Sequence, residues 1–147
     1  MDGGLYDLYE KDFYAWTQRQ AALLRAGNLS EADIAHIAEE IESMGRSEKR
    51  ELISRLTILL LHLLKWQYQP ERRGTSWEAT ILVQRDDLED HLADNPSLRA
   101  GLDAALVDAY RKAALLAVAE TGLARGRFPE ACPWSVGEVL GMGFWPG

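Results

Sequence analysis

The sequence predicts an all-α fold: a bundle of about five helices with an aromatic, proline-containing C-terminal tail packed on it. Three observations lead there. Apolar residues recur at helical rather than strand spacing. Capping residues, glycines and prolines divide the periodic stretches at intervals that suit helices with short connections. The stretch from Leu56 to Leu64 is apolar nearly all round, as suits a helix in the middle of a bundle. No strand-period segment and no internal repeat stands out.

Residues 5–26 read as the first helix. Leu5, Tyr9, Trp16 and Leu23 form one narrow stripe, Phe13 lies at its edge, and Gly27-Asn28 is the stop. Ser30 is the expected N-cap of a second helix with Asp33 in near capping-box position, an apolar face of Ile34, Ile37, Ala38 and Ile41, and an end at Gly45. Ser47 is the expected cap of a third helix reaching about Trp66, with Leu52, Ile53, Leu56, Leu59, Leu60, Leu63 and Leu64 inward. Pro70 and Gly74 mark a loop. Thr75 or Ser76 then caps a fourth helix to about Leu92, with Trp77, Ile81, Gln84 and Leu88 on one face. Asn95-Pro96 opens a fifth, running to Thr121 and a Schellman ending at Gly122-Leu123. Its expected inner face is Leu98, Leu102, Ala105, Ala109 and Leu116, small enough for a neighbour to come close. In the tail, residues 123–147, Ser135 and Glu138 start one short helix, and the aromatics argue for order.

Composition sets the outer limits. The 147 residues predict one domain, a helical bundle over 1–122 plus the tail. Sixteen basic residues against 23 acidic ones give a net charge of −7, which works against nucleic acid. The longest apolar run is far short of the ~20 residues a membrane span needs, so no membrane partner is expected. The single cysteine, Cys132, excludes an intrachain disulfide framework. The first residues are acidic and lack an apolar signal region, which together with the lone cysteine points to the cytoplasm.

Four groupings bear on chemistry. His36, Glu39 and Glu40 share a helix face by spacing. A di-metal carboxylate bundle uses Glu-x-x-His units, whereas the order here is His-x-x-Glu, and the other pair, Asp87 with His91, fits no better. The plain alternative puts His36 and Glu39 on a solvated face opposite Ile34 and Ile41. Next, Arg55, His62 and Trp66 fall within roughly 40° of one another on the third helix, with Lys65 further round. His62 is either an acid/base group or ligand, or a histidine satisfied by a neighbouring helix, the commoner fate of buried polar groups. Asp12 falls in the aromatic stripe of the first helix and needs a partner there, with Arg55 or Arg85 as the natural choices. Lastly, a helix-turn-helix over 24–41 is discounted, because its recognition helix would carry Glu31, Asp33, Glu39, Glu40 and Glu42. No nucleotide-binding glycine motif, nucleophile elbow or His-Glu-x-x-His occurs. Cys132, between Ala131 and Pro133, reads as a small packing residue.

Several strings together resemble one bacterial family, domain of unknown function 29. They are Leu5-Tyr6, Asp12 to Trp16, Leu23 to Arg25, Glu39 to Glu42, Ser54 to Leu56, His62 to Trp66, Ser76-Trp77 through Ile81, and Arg85. Phe128-Pro129, Cys132 to Trp134 and Phe144 to Pro146 complete the pattern over almost the whole chain. The resemblance implies an all-helical protein and no particular activity, cofactor or catalytic residue. Its strings include Asp12, Glu39, Glu40, Arg55, His62, Lys65 and Arg85, the polar residues placed on or beside apolar faces above.

The absence of a catalytic motif leans away from an enzyme. The favoured expectation is a protein-interaction or structural bundle, a homodimer being one form, with Trp66, Trp77, Trp134 and Trp145 as candidate contact aromatics. Two alternatives stand beside it: a metal-dependent or acid/base hydrolase using His62 with Glu39 or Glu40, and an antitoxin-like protein that sequesters a basic partner. No metal and no cofactor is expected.

Overall fold

The structure is a computed structural model that describes residues 8–147, so Leu5 of the first stripe and the Leu5-Tyr6 string lie outside the described residues. All regular structure in the described residues is helical. The chain divides into two compact units, Met1–Ser47 and Glu48–Gly147.

In the first unit a turn of helix at residues 8–11 precedes α1, Phe13–Arg25. The expected unbroken helix from residue 5 is therefore corrected. The chain restarts at Asp12, whose exposed carboxylate caps α1 by accepting the Ala15 N–H at 3.0 Å. Capping satisfies one of the orphan donors at a helix start and sets negative charge at the positive end of the dipole. The break changes the helical phase, which is why Asp12 does not sit in the buried stripe. α1 stops as expected at Gly27: with φ at +72°, it lets the Asn28 N–H reach Leu23 O at 2.9 Å.

α2 runs unbroken from Ile34 to Tyr68, 35 residues. The predicted end at Gly45 and fresh cap at Ser47 are both corrected. A mid-helix glycine costs about 1 kcal/mol against alanine, which is too little to halt a helix already propagating. Ser30 is not the cap either; its hydroxyl bonds Asn28, and Asp33 accepts the His36 N–H instead.

The second unit holds the core. Leu52, Leu56, Leu59, Leu60, Leu63 and Leu64 of α2 are buried almost completely, as their all-round apolar pattern requires. A short 3-10 turn, Pro70–Arg72, leads to α3, Thr75–Asp94, which contributes Ile81, Leu88 and Leu92. Its cap position is Gly74 without a side-chain bond, so neither Thr75 nor Ser76 acts as the cap. Pro96–Gly101 forms a 3-10 helix rather than the first turns of an α-helix, and α4 spans Leu102–Thr121. α4 buries Ala105, Ala109, Ala113 and Ala117, whose small side chains allow close packing. Leu116 is 42% exposed, so the inward stripe passes through Ala113 and Ala117 in its place. Gly122, at φ +76°, ends α4 with one bond to Val118 O, a simpler left-handed ending than the Schellman form.

The tail folds as the sequence suggests. Ser135 and Glu138 make a complete capping box on α5, Val136–Leu140. Phe128, Trp134 and Val139 are buried in the core of the second unit. No helix among the described residues is long and apolar enough to cross a membrane.

Candidate functional site

Of the polar residues singled out by sequence, Asp12, Glu39 and Glu40 lie in the first unit and Arg55, His62, Lys65 and Arg85 in the second. Arg55 reaches from α2 to Asp87 on α3 at 2.9 Å and to Gln84 at 3.5 Å, with Glu51 one turn away at 3.3 Å. Lys65 pairs with Glu120 at 2.7 Å and lies over the Trp77 ring. His62 is half-buried, with Nδ1 bonded to Ile58 O at 2.8 Å on its own helix. Burial lowers its pKa below the usual range and nearby Lys65 adds to this, against the opposing pull of the Ile58 hydrogen bond. Glu40 belongs to the first unit and His62 to the second. Asp12 caps α1 within the first unit, while in the second unit Arg55 bonds Asp87 and Arg85 bonds the Val139 and Phe144 carbonyls.

Arg85 is the most unusual of the set. It is 2% exposed, and none of the ion pairs among the described residues includes it. Its Nε donates to Val139 O and its Nη2 to Phe144 O, both at 2.8 Å, and its guanidinium lies 5.5 Å from the Trp145 ring centroid. Burial pushes its pKa below the ordinary value. Arg85 therefore fastens the tail to α3 through main-chain carbonyls. Arg73 repeats the device, donating to Trp66 O at 2.6 Å and Pro146 O at 3.4 Å. Three of the four candidate contact tryptophans, Trp66, Trp134 and Trp145, serve the same packing. Trp66 meets Trp145 at 4.7 Å, Trp134 is buried near Phe144, and Trp77 lies under Lys65.

Sequence reasoning gives little weight to His91, which is 6% exposed. Its Nε2 bonds Glu48 O at 2.8 Å and its Nδ1 lies 3.1 Å from Glu51, joining α3 to α2. Asp87 turns to Arg55 instead, so the two do not make a metal pair. Among the described residues the carboxylates of Asp86, Asp87 and Asp90 approach one another within 4.8 Å. They are all acidic, and Asp87 is already held by Arg55.

In the first unit the expected faces of α2 are exchanged. His36, expected on a solvated face, stacks on Tyr9 with centroids 3.9 Å apart, and the Tyr9 hydroxyl donates to Glu40 at 3.1 Å. Trp16, 3% exposed, packs edge-on to Tyr9 and donates from Nε1 to Asp33 at 3.2 Å. Ile34, Ile41 and Met44 are instead 51%, 62% and 67% exposed. Aromatic rings and two carboxylates, Asp33 and Glu40, thus make the contacts of this unit, while Ile34, Ile41 and Met44 face outward.

Asp33 makes this unit acid-sensitive. Burial works to raise its pKa, but hydrogen bonds from His36 and Trp16 outweigh that, and the carboxyl sits below its ordinary value. A lowered carboxylate pKa contributes stability that is present above the unfolded value and lost as pH falls through the folded one. The Trp16 indole resonance is expected to lose its native shift below about pH 4, the ordinary aspartate range. Asp33→Asn is expected to remove that acid limb, and an unchanged profile in the variant would contradict it.

A cleft of about 540 Å³ lies between α4 and residues 130–136, walled by Leu106, Val107, Trp134 and Val136. Burial pushes Tyr110 up to about 12 and raises the Cys132 thiol, which donates to Trp134 O at 3.4 Å. Neither group is ionised near neutral pH, so this cleft holds no ready nucleophile.

A family model described as a domain of unknown function matches residues 8–145. No curated protein and no solved structure matches the chain. The match takes in α1, the whole of α2, the core helices and the tail that Arg85 fastens, and so the chain belongs to the DUF29 family.

Proposed function

We propose that the chain is a protein-binding module whose contact face is the apolar side of the first half of α2. The observation behind this is the exposure of Ile34, Ile41 and Met44 on a regular helix. Ala38 and Gly45 lie in the same stripe, and nothing stands within 4 Å of the Cβ that Gly45 lacks. A second helix can therefore come close. Glu40 and Glu42 flank the stripe about 100° to either side of its centre.

The partner that fits is an amphipathic helix of another protein, apolar along one stripe and edged with Lys or Arg. A second copy of this face would bring further acidic flanks to acidic flanks. The net charge of −7 also draws in a basic partner at long range.

Two synthetic helical peptides test this by fluorescence anisotropy, one with a leucine stripe edged by lysines and one edged by glutamates. The lysine peptide is expected to bind and to weaken with added salt. Ile41→Glu or Met44→Glu is expected to weaken it at least about tenfold. Leu115→Glu, on the exposed side of α4, is the control and is expected to leave binding unchanged. Equal binding of both peptides, no effect of Ile41→Glu, or dimerisation of the protein alone through this face would overturn the reading.

A further inference from the structure

We propose that a hollow beside Arg85 is a binding site for a small oxyanion, of phosphate or carboxylate chemistry. The site lies in the second unit, away from the face discussed above, and does not depend on it.

Arg85 has three nitrogens able to donate, and the structure uses two of them. Nη1 is buried and has no hydrogen-bond partner. A buried donor left unmet is costly, and a charged one more so. No carboxylate pairs with the guanidinium among the described residues; its bonds go to carbonyls and it lies over the Trp145 ring. Buried charges in proteins are paired or bind ions.

Arg85 also lines a hollow of about 190 Å³, together with Glu89, Leu92, Arg99 and Leu140. At about 30 Å³ per water, that is room for a handful of heavy atoms. Arg99, on the 3-10 helix Pro96–Gly101, is exposed and brings a second guanidinium to the rim. Guanidinium groups are suited to oxyanions because their fixed N–H forks match the oxygen spacing. The two walls of Leu92 and Leu140 exclude the alternative of a second fixed carboxylate from the chain at those positions. Glu89 is the one acidic group of the lining, so it opposes a highly charged ligand and favours a singly charged or protonated one. An anion seated here would draw on the guanidinium groups of Arg85 and Arg99 and steady the one that holds residues 139 and 144.

The probes are inorganic phosphate and acetate, titrated into the full chain at constant ionic strength set with chloride, and read by calorimetry and by thermal unfolding. Saturable binding of at least one, with a raised unfolding midpoint, is expected. Phosphate alone, acetate alone or both distinguishes the chemistry of the ligand's head. Arg99→Ala is expected to weaken binding at least about tenfold without altering the fold, and Glu89→Gln to tighten it. Arg85 variants are left aside because they disturb the tail itself. No saturable binding of either anion, or binding that Arg99→Ala leaves unchanged, would overturn the proposal.

Discussion

Arg85→Ala is expected to destabilise the protein by about 3–5 kcal/mol, among the largest effects of any single change. Two hydrogen bonds from a charged donor are lost, each worth roughly 1.5–3 kcal/mol. The carbonyls of Val139 and Phe144 lose their donors, and a cavity opens in a site where the side chain is only 2% exposed. Denaturant unfolding reads the total. Hydrogen exchange is expected to show residues 136–146 protected least, since they lose their fastening. Arg85→Lys is expected to recover only part, because an ammonium lacks the planar fork that meets both carbonyls. A variant as stable as the parent would show that Arg85 is not what fastens the tail.

Trp16→Ala is expected to cost about 3–5 kcal/mol and to fall on the first unit. Trp16 and Gln20 are the only buried residues of α1, and the indole makes ring contacts with Tyr9 and Phe13 as well as its bond to Asp33. Gln20, which accepts the Asp33 N–H at 2.7 Å, is the other buried hold on α1. Amide exchange over residues 13–33 is expected to lose its protection, while the leucine core of the second unit keeps its own. Trp16→Phe, which keeps a ring and loses the N–H, is expected to lie between. Uniform loss of protection across both units would contradict this assignment.

The helical class, the core leucines of α2 and the small inward face of α4 were legible because each is a periodic pattern within one segment. The Ser135–Glu138 capping box and the stops at Gly27 and Gly122 were legible for a similar reason: they depend on neighbours in sequence. Gly45 misled because a glycine signals a stop only if the chain beyond it gains by turning, which local sequence does not reveal. Asp12 misled through the wheel itself, which assumes one unbroken phase. Once the helix restarts at that residue, every angle before it changes. The faces of α2 were exchanged because an aromatic ring over His36 outweighs an aliphatic stripe that finds no cover. Arg85 was visible as a polar residue near an apolar face, but its partners are backbone oxygens 54 and 59 positions away. A backbone oxygen carries no residue identity, so no pattern of letters announces it.

That last point has a consequence for how the end of the chain can change. Arg73, Arg85, Tyr110 and Arg125 all grip carbonyls, at Pro146, Val139, Phe144, Phe128, Pro129 and Glu130. Every amino acid supplies the same oxygen. Part of the anchoring therefore rests on Arg73, Arg85 and Tyr110 outside the stretch and on Arg125 at its start, and those anchored positions whose side chains do not join the core keep freedom to drift in sequence while the chain stays where it is.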